Sequence, residues 1–398
     1  MRRIDLRRTH AAHFSTMRDI NRQIVLNYVR DWGPISRAEI ARQTALQRST
    51  VSAIVDCLLA EALIEEIGNG PSTGGRCPTL LRLHTYGAAA IGIDIAPTRT
   101  TVATSNLAGC VLEREEFETD PDYEQTMRRV IAAACRLLKK SQGKIEGIGV
   151  SLPGLVDPSS GRLLYIPYFN WRELDVGQRI AAATGLKVTI DNDANAAALA
   201  ELWAGQSEVS ETRNFIMVFI AEGVGTGIIF DRQIYRGAGG AAGEFGHMII
   251  GEQAPAPCSC GSFDCWEAFA SGRAAIARYA RLKGRPPDSL QMNFTELVDL
   301  ALLGEETAII ALRETARYLG IGISNLIIGF SPEIVVVGGA MTRAWNLVAD
   351  LFSETVDRSI RRNLPSARII ASSIGDQASL LGAISLVLAT KFASAVDI

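Results

Sequence analysis

Gly243-Glu244-Phe245-Gly246-His247 and, eleven residues beyond that histidine, Cys258-Ser259-Cys260-Gly261-Ser262-Phe263-Asp264-Cys265-Trp266-Glu267 form the stretch from which the fold is read. Cys258, Cys260 and Cys265 place three thiols within eight residues, and His247 is the only histidine after position 84. Three Cys and one His make a closed tetrahedral donor set, which points to structural zinc with no coordination position left for a substrate. The bland alternative is a group of free buried thiols. The chain has seven cysteines, an odd number. One metal site in a reducing compartment explains that count better than a disulfide framework.

Upstream and downstream of this stretch, strands alternate with helices. Ala88–Ile95 reads as an apolar strand, with two shorter strands to about Phe117. A helix follows over Tyr123–Lys140, then a strand over Ile145–Leu152, a strand over Lys187–Ile190 and a helix from Ala194. A second half opens with Phe215–Ile220 and Gly225–Phe230. It later brings a long helix ending near Ile328, the strand Glu333–Val337 and the turn Gly338-Gly339. Two α/β halves that each begin with a strand meander predict a cleft between two lobes. With 47% hydrophobic and 21% charged residues, the composition is that of a globular protein with large cores. No run of ~18 apolar residues could span a bilayer. The start, Met-Arg-Arg-Ile-Asp-Leu-Arg-Arg, lacks the apolar centre of a secretory signal, so a cytoplasmic location is expected.

The first 84 residues differ in charge. They hold twelve Arg and no Lys against eight acidic residues, a balance of +4 in a chain whose net charge is -3. A basic head on an acidic body suggests that the head alone meets a polyanion. Apolar residues at Ile20, Ile24, Val25, Tyr28 and Val29 have helical spacing, and Gly33-Pro34 ends that helix. Ser36 and Glu39 are spaced as a capping box for a short second helix. Val51, Ile54, Val55, Leu58 and Leu59 give a third helix one buried face. Its first turn presents Gln47, Arg48, Ser49, Thr50 and Ser52, short hydrogen-bonding side chains and one Arg, suited to base edges and phosphates. Two strand-like runs, Leu63–Ile67 and Thr79–Leu83, flank a glycine-rich loop ending in Arg76, which reads as a wing. The alternative is a helical hairpin that docks a protein partner. The pattern over residues 17–84 resembles bacterial winged helix-turn-helix repressors, which usually bind two half-sites as dimers.

Together with Asp191-Asn192-Asp193-Ala194-Asn195-Ala196-Ala197, the two strings around His247 and Cys258 resemble the ROK family over about residues 85–395. That family holds sugar kinases and sugar-responsive repressors on an actin-like, two-lobed ATPase fold of the ASKHA type. The resemblance implies a head at 1–84 and a sensor body at 85–398. Lobe one would take 85–205 plus the C-terminal helix, and lobe two 206–375. It implies zinc on His247, Cys258, Cys260 and Cys265, with Asp264 departing from the family's usual glycine before the last cysteine.

Sugar recognition needs fixed donors and acceptors converging on several hydroxyls. The candidates are Asn170, Asn192, Asp193, Glu244, His247 and Glu267. Asn192 and Asp193 could equally cap the helix that follows, and Glu267 could simply start one. By resemblance all six match sugar-contacting positions, and Asp193 matches the kinases' catalytic base. The phosphate loops depart from the kinase pattern. Where the kinases carry Asp-x-Gly-Gly-Thr-Lys, this chain has Asp94-Ile95-Ala96-Pro97-Thr98-Arg99, and Pro97 has no N–H to donate. Where they carry Gly-Thr-Gly, it has Ala221-Glu222-Gly223, a carboxylate beside the triphosphate position. The expectation is a DNA-binding regulator, dimeric or tetrameric, that senses a sugar without phosphorylating it. An ATP-dependent sugar kinase with a regulatory head is the alternative.

Overall fold

The computed structural model describes residues 14–71, 77–85, 89–359 and 367–392. In the head, α1 (Phe14–Trp32) stops at Gly33-Pro34, and β1 (Ile35–Ser36) leads into α2 (Arg37–Thr44). The Glu39 N–H donates to Ser36 Oγ at 3.2 Å, but the Glu39 carboxylate is taken by Arg42 and Gln43. The expected capping box is therefore one-sided, because a guanidinium one turn onward competes for its second half. The helix α3 (Arg48–Ala60) buries Val51, Ile54, Val55 and Leu58, the face its spacing predicted. The strands β2 (Ile64–Asn69) and β3 (Thr79–Leu83) form an antiparallel hairpin with Ile64 opposite Leu83, and β1 adds to the other edge of β3. Three helices with a small sheet fit a helix-turn-helix head. The hairpin tip with Arg76, and the N-terminal residues 1–13, lie outside the described residues.

The body begins with an antiparallel meander of β4 (Ala90–Ile95), β5 (Arg99–Ser105) and β6 (Val111–Glu118). After α4 (Tyr123–Lys140), β7 (Ile148–Leu152) lies parallel to β4. A small sheet of β8 (Leu155–Asp157), β9 (Arg162–Ile166) and β10 (Trp171–Leu174) then intervenes, its strands too short to show a pattern in sequence. Following α5 (Val176–Thr184), β11 (Val188–Asn192) completes a sheet of order β11-β7-β4-β5-β6 and runs into α6 (Asp193–Ala204) and the short α7 (Ser207–Ser210). The second half repeats the plan. Its meander is β12 (Phe215–Ile220), β13 (Val224–Phe230) and β14 (Gln233–Ile234). The helices α8 (Trp266–Ala270), α9 (Gly272–Leu282), α10 (Phe294–Leu302) and α11 (Glu306–Phe330) precede β15 (Ile334–Gly339). Then come α12 (Trp345–Ser359), β16 (Arg368–Ala371) and α13 (Ala378–Phe392), giving a sheet of order β14-β13-β12-β15-β16. Every residue of β12 and of β15 is buried, as expected of strands covered on both faces. The result is the two-lobed, actin-like α/β architecture anticipated. Among the described residues no helix is long and apolar enough to cross a membrane.

Between the sheets lie α6 and α13, and each has crossed over. α13, which follows the second sheet, packs on the first, where Gly92 of β4 meets Ile384 and Gly149 of β7 meets the Ala383 carbonyl. α6, assigned with lobe one by sequence, packs chiefly on the second sheet, where Gly225 and Gly227 of β13 meet Ala194 and Ala198. The two helices touch each other at Gly382, against the Ala196 carbonyl. A Cβ at Gly149 or Gly382 would collide with backbone, which has no rotamer to escape into. Overpacking of this kind costs about 1–3 kcal/mol or more. Gly149→Ala is expected to lower the melting temperature of the full chain by several degrees, whereas Gly329→Ala, near the end of α11 with open space around it and no positive φ, should not lower it; differential scanning fluorimetry of the two variants distinguishes close packing from a general intolerance of glycine loss.

Candidate functional site: an acidic cleft beside a cysteine–histidine cluster

A cavity of about 720 Å³ opens between the lobes. The ends of β4 and β11, the turn between β12 and β13, the 243–247 turn and the start of α13 all reach it. Of the six candidate sugar contacts, Asn192, Asp193, Glu244, His247 and Glu267 line it. Asn170 does not. The tight turn Pro167–Phe169 leaves Asn170 in a left-handed conformation (φ 54°) on the exposed side, where its Oδ1 accepts from Arg172 Nε at 2.9 Å. Tyr168, two residues earlier, points inward instead and lines the cavity. Burial pushes its phenol well above the usual range, helped by the charge of Glu267.

Asn192 is the N-cap of α6. Its Oδ1 accepts from the N–H groups of Ala194 and Asn195 at 2.9 and 3.3 Å, and its Nδ2 donates to the Gly154 carbonyl at 2.9 Å. The capping role weighed from sequence is thus real, and it leaves Asp193 as the first helical residue, facing the cavity. Burial raises the Asp193 carboxyl to about 7, with the nearby charge of Asp94 adding to the shift. Asp94, near the end of β4, is itself raised to about 6 by burial, while Ser379 Oγ donates to it at 2.8 Å from the first turn of α13. Burial also raises Glu244, against the lowering effect of His247.

The ligand atoms of His247, Cys258, Cys260 and Cys265 all lie within 4.8 Å of one another. His247 Nδ1 is 3.2 Å from Cys258 Sγ, and the Cys260 and Cys265 sulfurs are 3.6 Å apart. Donor atoms of a tetrahedral site with metal–sulfur bonds of ~2.3 Å stand roughly 3.8 Å apart, so the cluster could hold a metal ion with little adjustment. The other histidine nitrogen, Nε2, lies 3.6 Å from Glu244 Oε2. Glu267 ties this cluster to the cleft wall, accepting from the Ser259 N–H at 2.8 Å, Arg273 at 3.0 Å and the Val224 N–H at 3.3 Å.

Both altered phosphate-loop positions also face the cleft. Pro97 lines it, and Thr98 Oγ1 donates to Glu222 Oε1 across the two loops at 3.5 Å. Among the described lining residues are seven carboxylates, including Asp94, Asp193, Glu222, Glu244 and Glu267, against one arginine, Arg99, and one histidine. Such a lining repels phosphates and suits hydroxyl groups, which can donate to carboxylates. In the head, Gln47, Arg48 and Ser49 are exposed at the start of α3, while Thr50 and Ser52 are half-buried.

Sequence reasoning missed Tyr168, Asp94 and Ser379 as site residues. A charged residue inside the apolar strand Ile91-Gly92-Ile93-Asp94-Ile95 was a usable signal. Ser379 gave none, since it lies 285 residues from its partner.

The raised carboxyls set the pH behaviour. Asp193 keeps its proton in the folded chain up to about 7, whereas the unfolded chain releases it near the ordinary value of 3.8. Its contribution to stability is therefore fully present below that ordinary value and is lost as pH rises through about 7. Asp193→Asn should raise the melting temperature at pH 8 by an amount that shrinks toward zero at pH 4, with a gain on the order of 2 kcal/mol after allowing for solvent in the cleft. Equal gains at both pH values would show that Asp193 ionises normally.

The whole-chain comparison matches this architecture. A family model described as the ROK family covers residues 90–390. The xylose repressor of Caldicellulosiruptor bescii is 32% identical over 386 residues, 94% of this chain and 96% of that one. The crystal structure of a ROK family transcriptional regulator, a homologue of the Escherichia coli Mlc protein, superposes with a TM-score of 0.75 at 26% identity, over 95% of this chain and 97% of that one. The Streptomyces griseus ROK glucokinase, crystallised with glucose and AMPPNP, superposes at 0.67 with 28% identity, and its near-full length (99%) covers only 75% of this chain. The chain therefore belongs to the ROK family.

Proposed function

We propose that the chain is a sugar-responsive transcriptional repressor of carbohydrate uptake or catabolism genes, with a head at 1–84 that binds operator DNA and a body at 85–398 that binds sugar without phosphorylating it. The observation that carries this reading is the acidic cleft with Glu222 and Pro97 at the phosphate-loop positions, on a chain whose length matches repressors and exceeds the glucokinase. In the head, Arg48, Ser49 and Gln47 at the exposed start of α3 meet base edges and phosphates in a major groove, flanked by Thr50, Ser52 and, from the wing, Arg76. The protein acts in the cytoplasm as a homodimer or homotetramer, because one such head discriminates too weakly by itself.

In the body, Asp193, Glu244 and Glu267 accept from sugar hydroxyls, and His247 presents Nε2 to the same space while Nδ1 faces the cysteines. Asn192 acts through α6, as its cap. Structural zinc on His247, Cys258, Cys260 and Cys265 supplies a cross-link that holds the 247–267 loop against the cleft. Sugar shifts the lobes and so changes the affinity for DNA, typically by ~1–3 kcal/mol per site.

A second reading, an ATP-dependent sugar kinase with a regulatory head, is favoured by one observation: Asp193 titrates near 7, where a general base works best. Thermal unfolding of the protein with xylose, glucose, N-acetylglucosamine and ATP–Mg separates the two. A sugar at a hundred times its dissociation constant adds roughly 2.7 kcal/mol and visibly raises the transition. A shift with one sugar, none with ATP–Mg, and no sugar-dependent ADP is expected. ADP formation that disappears in Asp193→Asn would establish the kinase instead. On a DNA duplex selected from a random pool by the protein, Arg48→Ala should weaken binding about tenfold or more and reduce its salt dependence; a salt-independent association would point to a protein partner for the head. Elemental analysis should find one zinc per chain, lost in Cys260→Ser with a lowered melting temperature. A metal-free protein of unchanged stability would remove zinc from the account.

A further inference from the structure

The two interlobe helices end at the head. At the C-terminus of α6 is Trp203, and at the C-terminus of α13 is Phe392; their ring centroids are 5.8 Å apart. The guanidinium of Arg30, from α1 of the head, lies over both rings, 4.4 Å from the Trp203 centroid and 4.8 Å from that of Phe392. Its Nη1 is buried without a hydrogen-bond partner, so the rings are what that end of the guanidinium meets, while Nε pairs with Asp31 at 2.6 Å. Three residues earlier on α1, Asn27 Nδ2 donates to the Phe392 carbonyl at 2.9 Å and so caps the last turn of α13. Val25, Leu26 and Val29 of α1 share one core with Ile384, Val387 and Leu388 of α13.

The opposite ends of these helices stand in the cleft. Asp193 is the first residue of α6, and Ser379, bonded to Asp94, is in the first turn of α13. Helices of twelve and fifteen residues carry that end to the head over about 18–22 Å. Each is pressed on a different sheet, α6 on β13 and α13 on β4 and β7, through glycines that leave no slack. Their close mutual approach is at Gly382, so a change in the angle between the lobes would pivot α6 against α13 about that point and alter the Trp203–Phe392 spacing at the far ends.

We propose that Arg30 is a positioning residue that couples the cleft to the head, by holding Trp203 and Phe392 together in one lobe arrangement and losing one of them in the other. The inference rests on the sugar-responsive reading above. A cation between two aromatic faces is a short-range, geometry-dependent contact, so a shift of one ring by a few ångströms removes its share of the attraction. The head then keeps its own fold and its seat on α13 but loses its hold on α6, and the spacing between two heads on two half-sites changes with it.

The test compares the ratio of DNA affinities with and without sugar, using the full-length protein, the selected duplex, and whichever of xylose, glucose or N-acetylglucosamine raises the wild-type melting temperature. Arg30→Met should bind sugar in the absence of DNA within about threefold of wild type, and DNA in the absence of sugar within about tenfold. Its affinity ratio should fall at least fivefold toward one. Because coupling is reciprocal, the effect of DNA on sugar affinity should fall by the same factor. Arg30→Lys, which keeps a cation for the rings, should retain most of the ratio, and Trp203→Leu should behave as Arg30→Met does. A wild-type ratio persisting in Arg30→Met, or a loss of DNA binding with the ratio intact, overturns the coupling role and leaves the proposed function standing. A wild-type protein whose DNA affinity no sugar of the panel alters overturns the proposed function, and this inference with it.

Discussion

The backbone contact between α6 and α13 is the constraint on which the rest of the molecule depends. Gly382 brings the second helix against the Ala196 carbonyl, and further glycines bring each helix against a strand of the sheet it did not follow in the chain. Small residues at these crossings replace side-chain packing by backbone packing, which has no rotamers to rearrange and so transmits displacement instead of absorbing it. Because each helix starts beside the cleft and ends beneath the head, the same crossing that joins the two lobes also joins the cleft to the head.

The cleft has been built around carboxylates. Asp94 and Asp193 sit deep enough that burial holds the proton of each well above the usual range, with the charge of Asp94 adding to the shift of Asp193 and that of Glu222 to the shift of Asp94. In a kinase, glycine-rich loops would offset that negative field with backbone N–H groups aimed at phosphate. Here Pro97 removes one such donor, and Glu222 adds a charge of the wrong sign at the second loop. What remains suits a neutral polyhydroxyl ligand better than a nucleotide. Glu267 links this chemistry to the cysteine–histidine cluster, since one carboxylate oxygen takes the Ser259 N–H from the cysteine loop while the other takes the Val224 N–H beside the cleft. A change in the loop is therefore a change in the wall of the site.

Periodicity and local chemistry were enough to read the regular elements. The spacing of Val51, Ile54, Val55 and Leu58 named the buried face of α3, and the apolar run Phe215–Ile220 was a strand with both faces covered. The Cys258-x-Cys260-x4-Cys265 spacing with His247 named a cluster that the fold does assemble, because three of its members lie within one loop and the fourth on the adjoining turn. Local reasoning erred where a neighbour outside the local pattern intervened. Asn170 is turned away from the cleft by the tight turn before it, and Tyr168 takes the inward position.

By itself the sequence determined the family, the order of the longer elements and most of the polar groups of the cleft, since these depend on residues close together in the chain. Only the tertiary structure decided which sheet each interlobe helix rests on, which carboxylates share a field, and where the head is seated. Ser379 meets Asp94 across 285 positions, and Arg30 meets Trp203 and Phe392 from the far end of the chain. Such contacts carry no signature in either partner's own neighbourhood. They exist because chain crossings bring helix ends together, and a crossing is a property of packing, which no local pattern encodes.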